Sequence, residues 1–281
     1  MNRTTTRTLA LLAGAMLPTA CLSATALGQS GAMTQSDTET AESAPTIDPK
    51  AEEVWDRYLK KTLGDAAEDR SEIESIVQEG TMEMRAQGMS MKLKLVMVPG
   101  TGVRMTMNIP QMGSFEQGMY EGTVWSNNMM QGPRILEGAQ AAQFREQSDI
   151  FSDLEWDKYY DSIRYEGTET TEMLDGSKVE THVLKLDPKN TDQTQKQYFS
   201  VDSGLLVKSQ MMVAVDGQGE VPATNYISDY RELGDMMMAY KTVTKLGPQE
   251  QVITFDSVEL NADVDESEIE PPQEIKDMMD G

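Results

Sequence analysis

The apolar residues of the chain follow a helical period up to about residue 72 and a period of two beyond it. Asp48-Pro49 supplies an N-cap followed by proline at the first helical position, and Gly64 ends the helical pattern. The sequence therefore predicts an amphipathic helix between these points. Its apolar face consists of Val54, Trp55, Tyr58, Leu59 and Leu63.

Alternation of apolar and polar residues predicts strands with one solvated face in the next part of the chain. In residues 88–98 the odd positions are apolar, whereas Ser90, Lys92 and Lys94 occupy even positions. Turns rich in glycine and proline separate the alternating segments. The first predicted meander has about five strands, at residues 79–86, 88–98, 103–109, 114–121 and 123–130.

This alternation is lost in residues 136–160. Residues 139–147 are good helix formers, and the aromatic residues that follow them predict a helical insertion lying on the sheet. About a dozen strands in one sheet accumulate enough twist to curl it into a barrel or half-barrel. The second run of predicted strands covers residues 162–169, 178–186, 195–201, 205–215, 223–230, 236–245 and 251–260.

The N-terminus has the order of residues that is typical of a secretory signal peptide. Arg3 and Arg7 precede an apolar run from Leu9 to Leu22, and small residues lead to a predicted cleavage point after Gly28. The signal peptide therefore spans residues 1–28. As an alternative, Leu17-Pro18-Thr19-Ala20-Cys21 resembles a lipobox, in which Cys21 would be lipidated and would anchor the chain.

Composition defines the remaining segments. Residues 29–47 are rich in Ser, Thr, Glu, Ala and Gln and predict a disordered linker. Residues 48–271 carry no internal repeat and are predicted to form one domain. The stretch from Asn261 onwards is acidic and interrupted by prolines, so we expect it to be largely extended, with an acidic tail at residues 272–281.

Charge and cysteine content exclude several classes of function. The chain has 24 Lys and Arg against 47 Asp and Glu, and loss of Arg3 and Arg7 with the signal gives a net charge of −25. Such a charge repels phosphate backbones, so nucleic acid is not an expected partner. Cleavage after Gly28 also removes the single cysteine, which excludes disulfides, thiolate metal sites and cysteine nucleophiles.

No pattern in the mature chain predicts a catalytic residue, a metal site or a cofactor. His182 is the single histidine and lies in a predicted strand, where we interpret it as structural. Acid pairs such as Asp153 and Glu155 are expected by chance in so acidic a chain. The sequence contains no phosphate-binding glycine loop, nucleophile elbow or metalloprotease helix motif.

Methionine is concentrated in the first meander, where 11 of the 22 methionines lie between Met82 and Met130. Their spacing of two would suit copper(I), although it also places neighbours on one face of a strand. An unbranched, polarizable lining suits an apolar ligand cavity, while plain core packing needs the same residues, and both interpretations stay open. The candidates for a cavity are Met82, Met84, Met89, Met91, Leu93, Leu95, Met105, Met107 and Trp125.

Several short stretches at strand ends carry a family resemblance. Over residues 52–271 the chain resembles the LolA/LolB-like superfamily of periplasmic lipoprotein carriers and sorting proteins, although Met236-Met237-Met238 stands where that family tends to place a proline. The stretches are Gly122-Thr123-Val124-Trp125, Tyr198-Phe199-Ser200-Val201-Asp202-Ser203-Gly204-Leu205, Asp229-Tyr230-Arg231-Glu232-Leu233-Gly234, and the closing segment from Asn261 to Pro271.

The resemblance implies an α+β, mostly antiparallel fold: an open half-barrel of about 11–12 strands with helices packed in the concave side. It further implies a periplasmic or otherwise extracytoplasmic protein, at most peripheral to the membrane, that holds a lipid or an acylated protein. The alternative is a structural or regulatory module with a self-filled core that binds another envelope protein. An enzyme is the least favoured of the three.

Overall fold

The structure is a computed structural model that describes residues 44–109, 113–129, 131–189, 193–215 and 219–280. The predicted signal peptide, Cys21 and linker residues 29–43 lie outside this part of the chain. The described residues form one sheet of 14 strands. The strands are β1 (Thr46–Ile47), β2 (Ile76–Met84), β3 (Met89–Val98), β4 (Gly102–Ile109), β5 (Gly113–Tyr120), β6 (Thr123–Asn128), β7 (Gly132–Ile135), β8 (Tyr160–Glu172), β9 (Lys178–Pro188), β10 (Gln195–Ser200), β11 (Leu206–Val215), β12 (Gly219–Leu233), β13 (Met236–Leu246) and β14 (Gln249–Leu260).

Four α-helices accompany the sheet in the described residues. The first follows Asp48 with Pro49 at its first position and ends before Gly64, as the sequence predicts. The second matches the predicted helix-forming stretch, residues 139–147, within a residue at each end. The helices are α1 (Pro49–Leu63), α2 (Gly138–Ser148), α3 (Trp156–Tyr159) and α4 (Gln273–Met279).

The sheet is open, with β1 and β8 at one edge and β7 at the other. Its order is β1-β8-β9-β10-β11-β12-β13-β14-β2-β3-β4-β5-β6-β7, and every pairing is antiparallel except that of β1 with β8. This confirms the predicted open, mostly antiparallel half-barrel. The strand number exceeds the expected 11–12 because short β1 and β7 extend the two edges, and β1 lies within the predicted linker.

The two halves of the sheet meet in its middle. The last strand, β14, pairs with β2, so the strands β2–β7 and β8–β14 form one continuous ladder. Strands β7 and β8 are consecutive in the chain yet lie at opposite edges. The segment between them, residues 136–159, therefore runs from one edge of the half-barrel to the other, and we call it the insertion.

The concave face of the sheet, defined here as the face that carries the main hydrophobic core, is covered by α1 and the insertion. Trp55 and Tyr58 of α1 pack edge to face with Phe199 of β10, with ring centroids 6.1 and 5.2 Å from that ring. Phe144 and Phe151 of the insertion join the same core. Helix α1 and the insertion therefore occupy the concave side, as predicted.

The C-terminal segment is not extended, contrary to the prediction. It crosses the convex face, where Ser267 and Glu270 accept hydrogen bonds through their carbonyls from the Arg104 guanidinium, and α4 packs against β6 and β7. Ile275 of α4 is fully buried. Burial of this apolar side chain stabilises the helical turn, whereas the acidic residues around it made the segment look solvated.

Candidate functional site

The methionine-rich part of the concave face lies on β2, β3 and β4. Cross-strand pairs in the register share one face of the sheet, which brings Met82 beside Met91, Leu93 beside Met107 and Leu95 beside Met105. All six side chains belong to the main core and are at most 5% exposed. Six of the predicted cavity residues thus form one apolar surface, which we call the methionine face.

Met84 and Met89 are placed differently within this surface. They pair with each other beside the turn that joins β2 to β3, and both are half-buried. They extend the methionine face towards that end of the half-barrel.

Trp125 does not belong to the methionine face, and its grouping with these residues was wrong. The register places Trp125 opposite Gly118 and Gly118 opposite Arg104, which alternates with the inward-facing Met105. The Arg104 guanidinium carbon lies 5.9 Å from the Trp125 ring centroid, on the convex face. Trp125 is fully buried there because α4 packs over β6 and β7.

The insertion is fastened to α1 and the following loop by a small polar cluster. Trp55 Nε1 donates to the Asp153 carbonyl at 3.0 Å, and the Tyr58 hydroxyl lies 3.3 Å from Asp153 Oδ2. Arg70, which follows α1, forms an ion pair of 3.0 Å with Glu155, and its guanidinium carbon lies 5.2 Å from the Phe151 ring centroid. We call these contacts the clasp, because they join the insertion to the N-terminal part of the chain.

Burial shapes the electrostatics of the clasp region. Desolvation, followed by the nearby Asp153 carboxyl, raises the pKa of Glu146 above its ordinary value. Desolvation also raises the pKa of Tyr58 well above 10 and the pKa of Tyr159 to about 12. All three shifts favour the neutral forms of these side chains over their negatively charged forms.

A row of buried polar side chains crosses the concave face of β10–β13. Gln197 pairs with Ser209, Ser209 with Asn225, and Asn225 with Thr244, so that all four side chains share one face of the sheet. None of them is more than 7% exposed. We call Gln197, Ser209, Asn225 and Thr244 the polar stripe.

Sequence reasoning missed the polar stripe. Its members are polar residues within predicted strands. A polar residue in a strand is usually assigned to the solvent-exposed face of that strand. The signal that was available is parity: Gln197 lies two residues before Phe199, which is an obvious core residue, and therefore points the same way.

His182 lies under α1 and is held by a structural contact. Its Nδ1 is 3.0 Å from the Tyr165 hydroxyl, and burial followed by the positive charges of Lys50 and Arg57 lowers its pKa. This agrees with the structural interpretation of the only histidine.

Two surveys of the described residues bear on metals and membranes. Within these ranges no group of three or more His, Cys, Asp or Glu side chains is arranged to hold a metal ion. No helix in the same ranges has the length and apolar character needed to cross a bilayer.

Comparison with known proteins identifies the fold. No protein family model and no curated protein matches the sequence. A LolA superfamily protein from Nitrosomonas europaea superposes with a TM-score of 0.52 at 9% identity, over 79% of this chain and 97% of that one. The protein has a LolA-like fold.

Two further solved structures match this LolA-like fold to the same extent. A DUF1329 family protein from Desulfovibrio piger gives a TM-score of 0.55 at 13% identity, covering 78% of this chain and 97% of its own. A domain provisionally assigned to outer membrane lipoprotein sorting, from Vibrio parahaemolyticus, gives 0.50 at 13% identity, with coverage of 78% and 96%. At these identities the likeness extends to the fold, and function has to be argued from the site.

Proposed function

We propose that this LolA-like protein is a non-catalytic extracytoplasmic binding protein that holds a lipid or a lipoprotein acyl chain against the methionine face. The observation that carries this function is the continuous apolar surface of Met82, Met91, Leu93, Leu95 and Met107 inside an open sheet. Methionine and leucine make contacts with an acyl chain that require no fixed ligand shape.

The insertion supplies a route for the ligand. It links the two edges of the sheet without adding a strand to the ladder, and the clasp holds it by few polar contacts. Displacement of the insertion would uncover the methionine face while the strands remain paired. Burial of apolar surface between the ligand and the methionine face would then contribute of order 25 cal/mol per Å² to the free energy of binding. The entropic cost of ordering the ligand and the side chains would reduce this gain.

The test combines extraction with a binding measurement. Lipid extracted from the purified mature protein is analysed by mass spectrometry, and a fluorescent fatty-acyl probe is titrated into delipidated protein. We expect co-purified acyl lipid and saturable probe binding. Absence of both would exclude this function.

A matched pair of variants links binding to the insertion. Arg70→Ala removes a clasp contact, whereas Arg85→Ala removes an ion pair with Glu250 beside the turn that joins β2 to β3. Faster probe uptake by Arg70→Ala alone is the expected result. Equal uptake rates in both variants would argue against the insertion as the moving part.

A second function is supported by the fact that the protein's own side chains bury the centre of the methionine face. The six central residues of the methionine face are buried by the protein's own side chains, as in a structural or regulatory module that binds an envelope protein with its outer surface. Such a module would retain its closed core and bind no acyl probe, so the same titration separates the two functions.

A further inference from the structure

The polar stripe raises a question that acyl binding alone does not answer. On β12 it interrupts an apolar row, because Ile227 lies two residues beyond Asn225 on one side and Ala223 two residues before it on the other, both at most 2% exposed. Burial of four polar side chains in the core costs free energy unless their hydrogen bonds are made.

Three of the four stripe side chains hydrogen-bond to one another, and both hydrogen bonds are donated in the same direction along the stripe. The Thr244 hydroxyl donates to Asn225 Oδ1 at 2.7 Å, and Asn225 Nδ2 donates to Ser209 Oγ at 3.1 Å. The chain of donors thus runs from β13 towards β10.

Gln197 stands at the β10 end of the stripe and breaks this pattern. It is 2% exposed, and among the described residues its Oε1 atom has no hydrogen-bond partner. A buried carbonyl oxygen without a donor is costly, and it is the place where a ligand that brings an N–H or O–H group gains most.

We propose that the polar stripe recognises the polar linkage of an acyl ligand, with Gln197 Oε1 accepting a hydrogen bond from an amide N–H or a hydroxyl of that ligand. This inference rests on the proposed function, because the acyl chain must already lie on the concave face. The ligand class it names is an acyl chain with a hydrogen-bond donor beside its carbonyl, in preference to an ester or tertiary amide that has none.

Gln78 provides an internal comparison. It is another buried glutamine of the concave face, 3% exposed, and its Oε1 also lacks a partner within the described residues. It lies on β2 between Leu95 and Val258 in the register, outside the stripe, and its Nε2 faces Met238 Sδ at 3.9 Å. Substitution of Gln78 therefore tests a buried amide that the proposal does not use.

The experiment uses two probes that differ by one N–H group, N-methyldodecanamide and N,N-dimethyldodecanamide, titrated into the delipidated mature protein by calorimetry. One hydrogen bond of about 1 kcal/mol corresponds to roughly fivefold tighter binding of the N-methyl probe by the wild type. Gln197→Leu is expected to bind both probes equally, whereas Gln78→Leu keeps the wild-type preference.

The outcomes separate this inference from the function on which it rests. Equal binding of both probes by the wild type, at measurable affinity, would overturn the role of Gln197 and leave acyl binding intact. Binding of neither probe would overturn both. The wild-type comparison needs no variant, so it decides the question even if Gln197→Leu does not fold.

Discussion

The side chains of Tyr58 and Asp153 meet inside the half-barrel, where the Tyr58 hydroxyl lies 3.3 Å from Asp153 Oδ2. The indole of Trp55, on the same helix, donates to the backbone carbonyl of the same residue. One position of the insertion thus receives two donors from α1. The insertion and α1 therefore separate only when both contacts break.

Tyr58→Phe should loosen this junction without disturbing the packing of the ring. Loss of one buried hydrogen bond is expected to lower the free energy of unfolding by about 1 kcal/mol. Urea denaturation measures the loss, and amide hydrogen exchange should quicken in residues 149–155. Tyr226→Phe, on the convex face, is the matched control, and an equal loss there would remove any special role for the junction.

Glu146→Gln should stabilise the protein at neutral pH. Because burial and Asp153 raise the pKa of Glu146 in the folded state, its ionised form is less stable there than in the unfolded chain. Its contribution to stability is therefore lost as the pH rises from its ordinary pKa of 4.5 through the raised value. The stability difference between variant and wild type should grow over that window, as measured by denaturation at a series of pH values.

The control for this titration is Glu137→Gln, which removes the same charge at an exposed position just before α2. If both glutamine variants showed the same pH dependence, general charge repulsion would explain the effect better than burial of Glu146.

Arg70→Ala should change dynamics more than stability. The Arg70 side chain of the ion pair with Glu155 is 48% exposed, and exposed pairs contribute about 0–1 kcal/mol. Hydrogen exchange in the insertion is expected to accelerate while the urea midpoint moves little. A large fall in the midpoint would mean that the clasp supports the fold and does not merely hold the insertion.

Ile275→Ala should detach α4 from the convex face. Ile275 is fully buried, and such truncations cost about 2–5 kcal/mol when the cavity cannot collapse. Because α4 is short and packs mainly on β6 and β7, we expect local release, which exposes Trp125 and increases acrylamide quenching of tryptophan fluorescence. Met278→Ala removes a side chain of the same helix that is 48% exposed, and it should leave quenching unchanged.

The sequence predicted the elements whose signals are local. Pro49 and Gly64 delimit α1, and the alternation around Lys92 and Lys94 predicts β3 almost to the residue. Residues of one strand face also share a parity, which is why most of the methionine face was predictable from spacing alone.

The errors concern relations between elements. Trp125 was assigned to the wrong face because the hairpin at residues 121–122 sets the register of β6 against β5, and alternation within β6 does not reveal it. The helix at Ile275 is too short to show a period, and its packing partner is about 150 residues away in the chain. The polar stripe was missed because the cover on the concave face buries polar residues that local patterning assigns to solvent.

The pairing of β14 with β2 has a consequence for how the two halves depend on each other. Helix α1 precedes the first half but packs on β8 and β13 of the second, whereas α4 follows the second half but packs on β6 and β7 of the first. Each half of the chain thus contains the helix that packs on the strands of the other half. A single cut in the insertion should leave two polypeptides that remain associated and that, once separated, complete their folds only by recombining.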